Sequence, residues 1–273
     1  MKIRVYIAVL TVLIPFSCKK ENKGSVHLTE GRIKTIEVID SIQPLQSKYA
    51  FFYDGDNGEL NRITKDGQDY IQINPVSNNL MLVKRVDDTL GIEKYEIVYD
   101  GNKNVKSIKY ILDSANQLNS YLFVLSNNNI DSIYEFGLFL YQFNIRNYNF
   151  VFQNGNCVSY TSTYDQQILS GITEVTETRT FIYNDKLNNK DIPFQSILKF
   201  PDIFITTPRG VVSLPYIASL MGLNVGCTNK NLLTEKGEWK YEYVLNDNAQ
   251  VIEIREYSIA SQTLYRIYKL AYY

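Results

Sequence analysis

Residues 95–108 read YEIVYDGNKNVKSI, and this stretch decides the fold. Tyr95, Ile97 and Tyr99 occupy alternate positions and then stop at Asp100-Gly101-Asn102-Lys103-Asn104. Period two over five residues is the pattern of a β-strand with one aromatic face. A Gly/Asn/Asp cluster of this length is a hairpin turn, because glycine and asparagine tolerate positive φ. Val105 and Ile108 follow, three positions apart. In a flat strand such a pair points to opposite faces, so either a bulge after the turn or burial on both faces is required.

The same unit recurs along the chain. Tyr49-Phe51-Tyr53, Tyr121-Phe123-Leu125, Tyr148-Phe150-Phe152, Phe181-Tyr183 and Tyr241-Tyr243-Leu245 repeat the aromatic alternation, each running into an Asn-, Asp- or Gly-rich turn. The spaced apolar pair returns as Leu60/Ile63, Ile130/Ile133, Cys157/Tyr160 and Val251/Ile254. Ile71 and Ile73, a turn over 75–79, and Leu80/Val83 form a degenerate seventh copy. The spacing between copies is irregular, which indicates related hairpins rather than a strict solenoid. The residue before each terminal position is also apolar (Phe52, Val98, Val124, Val151, Ile182, Val244), so the sequence leaves open which face is the core. The expected fold is mainly all-β: an antiparallel meander of repeated hairpins in a curved or barrel-like sheet.

Residues 190–237 break the pattern and hold Pro193, Pro201, Pro208 and Pro215. Segments 192–200 and 214–222 read as short amphipathic helices opened by proline. The stretch is expected to be a partly helical insertion that covers the sheet.

At the other end of the chain, Lys2 and Arg4 precede a 12-residue, mostly apolar run, VYIAVLTVLIPF, over 5–16. A membrane-spanning helix needs about 20 apolar residues, whereas a secretory signal core is this short. Ser17-Cys18 follows directly, and it resembles a bacterial lipobox in the relaxed form of Bacteroidetes-type lipoproteins, with Pro15 where leucine is usual. The resemblance implies cleavage before Cys18, acylation of its sulfur and a bacterial outer-membrane location, on the periplasmic or the outer face. The expected organisation is a signal peptide over 1–17, a polar tether over 18–31 and a single β-rich domain over 32–273.

The Tyr-Asp turns at Tyr53-Asp54 and Tyr99-Asp100, with the entry Tyr183-Asn184-Asp185 into a Pro-containing insertion, resemble the hairpins of uncharacterised Bacteroidetes lipoprotein families. A weaker likeness is to the Tyr-Asp repeats of large secreted Rhs-type shells. The first resemblance carries no established catalytic residues.

Composition narrows the chemistry. Lys and Arg total 28 against 29 Asp and Glu, and a near-neutral chain lacks the basic face that nucleic acid needs. The one histidine, His27, falls in the polar tether, which leaves no multi-His metal site and no histidine-based nucleophile in the domain. No cofactor and no metal are implied. Asp54, Asp56 and Glu59 fit a plain hairpin turn better than a calcium loop, which needs a closing acid at its twelfth position. Glu174/Glu177 and Glu253/Glu256 are carboxylate pairs whose members, in strands, face opposite ways. Cys157 and Cys227 are a candidate disulfide in an oxidising compartment, although Cys157 occupies the core slot that Val105 fills in its sister hairpin.

Tyr53, Tyr99, Tyr243 and Trp239 are the candidate ligand-facing aromatics. The alternative for them is cross-strand packing. The expected function is a non-enzymatic binding or assembly module in the cell envelope. It would be held to the membrane through its N-terminal lipid and would take a glycan, peptide or envelope-protein partner. The alternative is a lipid or apolar-ligand carrier with 192–223 as its lid.

Overall fold

The computed structural model describes residues 31–42, 45–54, 58–87, 91–111, 117–127, 129–139, 141–168, 171–188, 214–226 and 229–273. The signal and tether expectations, including Cys18, lie outside these residues, as do Asp56, the segment 192–200 and Cys227.

Sixteen strands follow one another in the chain. They are β1 (Ile33–Asp40), β2 (Gln46–Tyr53), β3 (Leu60–Lys65), β4 (Gln68–Ser77), β5 (Leu80–Asp87), β6 (Gly91–Tyr99), β7 (Val105–Ile111) and β8 (Gln117–Ser126). Then come β9 (Asn129–Phe139), β10 (Tyr141–Gln153), β11 (Asn156–Ile168), β12 (Gly171–Leu187), β13 (Asn231–Lys236), β14 (Trp239–Leu245), β15 (Val251–Ser258) and β16 (Leu264–Tyr272). One helix, α1 (Leu214–Leu220), precedes β13. Each strand pairs antiparallel with its sequence neighbour, and β16 pairs with β1, so the meander closes into a barrel. Closure removes every sheet edge, which is how an all-β chain avoids presenting unpaired backbone to other molecules.

The repeated turns all fall at one end, termed the rim. The β2–β3, β6–β7, β8–β9, β10–β11 and β14–β15 hairpins close there, and the described chain also starts and ends there, with Gly31 N–H donating to Tyr273 O at 3.5 Å. The turns are the kinds their residues select. Asn154 and Gly155 both have positive φ, 53° and 81°, the Asn-Gly turn that matches strand twist. Asp100 and Asn246 close longer loops in which Lys103 and Ala249 are left-handed, at 62° and 58°. In each, the first side chain caps two amides: Asp100 Oδ1 accepts from Asn102 and Asn104, and Asn246 Oδ1 from Asn248 and Gln250.

A bulge settles the spaced apolar pairs. Tyr99 pairs with Val105 but Val98 pairs with Ser107, so Lys106 is an extra residue on β7. The same one-residue slip places Asn61, Asp131, Val158 and Ile252 as extra residues in their hairpins. One inserted residue restores phase, so both members of every pair turn inward, and all are buried, none more than 3% exposed. The degenerate copy differs. Its slip falls on β4 at Val76, because Pro75 pairs with Met81 and Ser77 with Leu80. Met81 therefore points inward in place of Leu80.

The open question of the core face is answered by exposure. The alternating aromatic set, with Tyr49, Phe51, Tyr95, Ile97, Phe123 and Phe181, is buried inside the barrel. The preceding apolar residues face out: Val124, Val151, Ile182 and Val244 are 38–52% exposed. Ile108→Ala on the inner face should cost about 2–5 kcal/mol. Val124→Ala on the outer face should stay within ~0.5 kcal/mol. Urea unfolding of the two variants measures both, and equal losses would reverse the assignment of faces.

Candidate functional site

The rim end is closed by the chain itself. Leu214, Tyr216, Ile217, Ala218 and Leu220 of α1 are buried with the inward strand residues in one core, and Tyr216 meets Phe51 edge-on at 6.4 Å. Gly222, at φ +73°, ends the helix: its N–H donates to Ser219 O, and Leu223 N–H to Ala218 O. That pair of bonds satisfies carbonyls the last turn leaves open. Arg32 Nη2 then holds Leu220 O at 2.7 Å, while Arg32 Nη1 reaches Gly58 O in the β2–β3 turn.

Beyond the helix the plug runs along the rim from hairpin to hairpin. Val105 N–H donates to Asn224 O at 2.9 Å, Ile130 N–H to Gly226 O at 3.0 Å, and Cys157 N–H to Asn229 Oδ1 at 2.9 Å. These three donors are equivalent: each lies just after a rim turn, directly before the bulge residue. A bulge leaves a strand amide without its ladder partner, and a buried amide must find another. The plug supplies one acceptor for each of three successive hairpins.

Asparagines lock the plug sideways. Asn224 Nδ2 donates to Asn104 Oδ1, Asn224 N–H to Lys103 O, and Asn156 and Asn231 exchange side-chain and backbone bonds at 2.9 Å. Of the stretch expected as a lid, 214–223 belongs to this plug. The rest lies outside the described residues.

The predicted aromatics stand on the inner wall. Tyr53 packs edge-on against Tyr273 at 6.0 Å, with the Arg32 guanidinium over its ring at 4.6 Å. Tyr99 Oη donates to Ser77 O and Tyr243 Oη to Leu233 O. Tyr183 Oη donates to Cys157 O and Tyr272 Oη to Val251 O, both at 2.6 Å. These hydroxyls therefore tie one hairpin to the next. Burial, and then the negative charge of Glu59, raise the Tyr99 hydroxyl above its usual range. Trp239 lies at the opposite end, against Tyr265 at 4.9 Å. The structure thus does not bring Trp239 together with Tyr53, Tyr99 and Tyr243.

Near that opposite end one member of the carboxylate pair Glu253/Glu256 is buried rather than solvated. Glu256, 1% exposed, accepts from Tyr268 Oη at 2.8 Å and lies 3.7 Å from Arg266 Nη1. Arg266 Nε is also 3.4 Å from Asp40 Oδ2. Burial, and then the Glu256 charge, push Tyr268 well above the ordinary tyrosine range. Glu253 and Glu256 do face opposite ways, as do exposed Glu174 and inward Glu177, which pairs with Arg179. The signal in the sequence was an acid at an alternate position of an inward strand, Val251-Ile254-Glu256, once the bulge is allowed for.

Cys157 is a free, buried thiol that burial pushes up to about 12. Among the described residues no cluster of His, Cys, Asp or Glu suits a metal ion, and Asp54 caps its own turn, accepting Gly58 N–H at 2.7 Å.

No family model and no curated protein matches the chain. Solved structures do. A porin-like protein from Bacteroides uniformis ATCC 8492 is similar with a TM-score of 0.55 and 14% identity, covering 88% of this chain and 96% of that one. A porin-like protein from Bacteroides vulgatus ATCC 8482 has a TM-score of 0.55 and 11% identity, covering 89% and 98%. The likeness is one of fold: a closed barrel of antiparallel strands.

Two outcomes follow from this geometry. Gly226 has φ +74°, and a Cβ there would sit 2.5 Å from Ile130 Cγ1 and 2.8 Å from Ile130 N. Gly226→Ala should cost about 2–4 kcal/mol through left-handed strain and overpacking, read as a lowered urea midpoint. A thiol held near 12 should also make Cys157 inert to iodoacetamide at pH 8 in the folded protein. Peptide mass mapping should find it alkylated only after denaturation.

Proposed function

We propose that this chain is a lipid-anchored cell-envelope protein, a non-conducting barrel that serves as a binding or assembly module rather than as an enzyme or a pore. The observation that carries the reading is the polarity of its wall. A membrane-spanning barrel turns an apolar band outward and keeps a polar interior. This barrel has the opposite arrangement over much of its circumference. Its inner face is packed with Tyr49, Phe51, Ile63, Ile97, Ile108 and their neighbours. Its outer face carries charges in register: Glu242 beside Arg255, and Glu253, Lys269, Glu37 and Lys48 in an alternating row across β15, β16, β1 and β2. Glu96 and Lys109 continue the pattern at 4.0 Å.

Each Arg or Lys on a lipid face costs about 2–4 kcal/mol at mid-bilayer, so a belt of this kind belongs in water. No helix among the described residues is long and apolar enough to cross a membrane. Attachment to the envelope then falls to Cys18, which the relaxed lipobox supplies. The plug argues against conduction, since its acceptors bind rim amides directly. Similarity in fold to porin-like proteins of Bacteroides supports an envelope setting.

Expression in a Bacteroidetes host, fractionation and N-terminal mass analysis test this reading together. A diacyl or triacyl mass on Cys18 and membrane retention are expected, and Cys18→Ala should move the protein to the aqueous fraction. Planar-bilayer recordings of the purified full chain should give no conductance steps. Stable porin-sized steps would overturn the reading. A stoichiometric lipid retained in native mass spectra would favour carriage instead.

A further inference from the structure

We propose that the outer face of β9–β12 is a platform for a neutral polysaccharide, a partner class that rests on the binding-module reading above. This sector departs from the rest of the wall. Where β14–β16, β1 and β2 present alternating charges, β10, β11 and β12 present hydroxyls. Tyr148 pairs with Thr161, and Thr161 with Thr178. In the next row Thr163 pairs with Thr176, their Oγ1 atoms 3.1 Å apart, and Tyr148 Oη lies 3.3 Å from Thr163 Oγ1. Thr180 extends the column on β12 beside Ser159. Thr176, Thr178 and Thr180 are exposed, while Thr161 and Thr163 are half-buried.

Two features make this face a recognition surface and not only a favourable strand composition. The first is its rigidity and regularity. Hydroxyls stand about 4.8 Å apart across strands and about 6.7 Å apart along them, on four of the longest strands in the barrel, of 11, 13, 13 and 17 residues. Each hydroxyl both donates and accepts, which suits the hydroxyls of a sugar chain and not a purely anionic or cationic ligand.

The second is a fixed aromatic edge. The Arg146 guanidinium lies over Tyr148 at 4.6 Å and over Tyr134 at 5.5 Å. It holds two half-buried rings beside the threonine rows. Rings give a sugar its apolar contact, and arginine gives it further donors. Acidic side chains border the platform rather than enter its threonine rows: Asp165 and Glu174 toward the end away from the rim, exposed Asp131 at the rim end of β9, and Glu235 beside Ile182. The rows themselves, Thr161, Thr163, Thr176, Thr178 and Thr180, carry no charge, which matches a neutral glycan, and the Arg146 cation at their edge is engaged with the Tyr134 and Tyr148 rings.

Affinity electrophoresis of the full-length protein in detergent tests this, with β-glucan, mannan, xylan and dextran cast in the gel. Polygalacturonate and heparin serve as charged controls. At least one neutral glycan should retard the wild type. Thr176→Val with Thr178→Val, and separately Tyr148→Ala, should weaken that retardation about tenfold, the loss of one or two net hydrogen bonds. Lys84→Ala, elsewhere on the outer wall, should leave it unchanged. Circular dichroism melts confirm that each variant is folded.

No retardation by any neutral glycan, retardation by the anionic polymers alone, or retardation indifferent to the folded platform variants would each overturn the proposal. So would capture of an envelope protein on the same threonines. The lipid on Cys18 and the absence of conductance are read in separate assays. Failure here therefore leaves the anchored-barrel reading standing, and its failure is recognised independently.

Discussion

The bulge after each rim turn is the constraint on which the rest of this structure depends. One extra residue lets Leu60 and Ile63, or Val105 and Ile108, enter the core together. Without it, one member of each pair would face water. The same insertion interrupts the hydrogen-bond ladder near the start of the strand. Val105, Ile130 and Cys157 consequently present amides that β-pairing does not satisfy, and the plug answers them one after another. Core packing at the rim and closure of the rim are thus two consequences of one backbone device. That coupling explains why the 214–230 stretch carries Gly226 where it does. Its carbonyl must reach Ile130 N–H across a gap too small for a side chain.

The barrel also separates two environments with opposite rules. Inside, aromatic rings and branched aliphatics fill the wall, and several of the polar groups that enter are tied down, although the buried Tyr49 hydroxyl has no hydrogen-bond partner among the described residues. Tyrosine hydroxyls find carbonyls of the adjoining hairpin, and Glu256 is held by Tyr268 and faces Arg266. An isolated buried carboxylate would be costly, but a partnered one is tolerated. Outside, charges alternate along the strands that flank the termini, and hydroxyls replace them on β10–β12. A wall of this kind is suited to water on its outer side. Its similarity to the porin-like proteins is one of fold.

Much of the fold was legible before any coordinates. Alternation in Tyr95-Ile97-Tyr99, the turn at Asp100–Asn104 and the pair Val105/Ile108 each have a local physical cause, and a strand, a hairpin and a bulge follow from them. The carboxylate pairs were also placed on opposite faces by strand periodicity alone. The degenerate seventh copy pairs Leu80 with Val83 by spacing, but its slip falls on the other strand, at Val76, so Met81 and not Leu80 joins Val83 in the core. The plug was visible only as a proline-bearing interruption. Its contacts join residues up to 188 positions apart, and no local pattern encodes which turn it will meet.

By itself the sequence determined the elements and their antiparallel order, because each depends on spacing within a few residues. It could not choose between the two apolar faces of its strands. Phe52 and Phe51 are equally hydrophobic, and which of them is inside depends on the direction in which the closed sheet curves. Tertiary structure made that choice when β16 met β1. Closure placed Tyr53, Tyr99 and Tyr243 on the inner wall, sent Thr161, Thr163, Thr176, Thr178 and Thr180 outward and created the rim mouth that the plug fills.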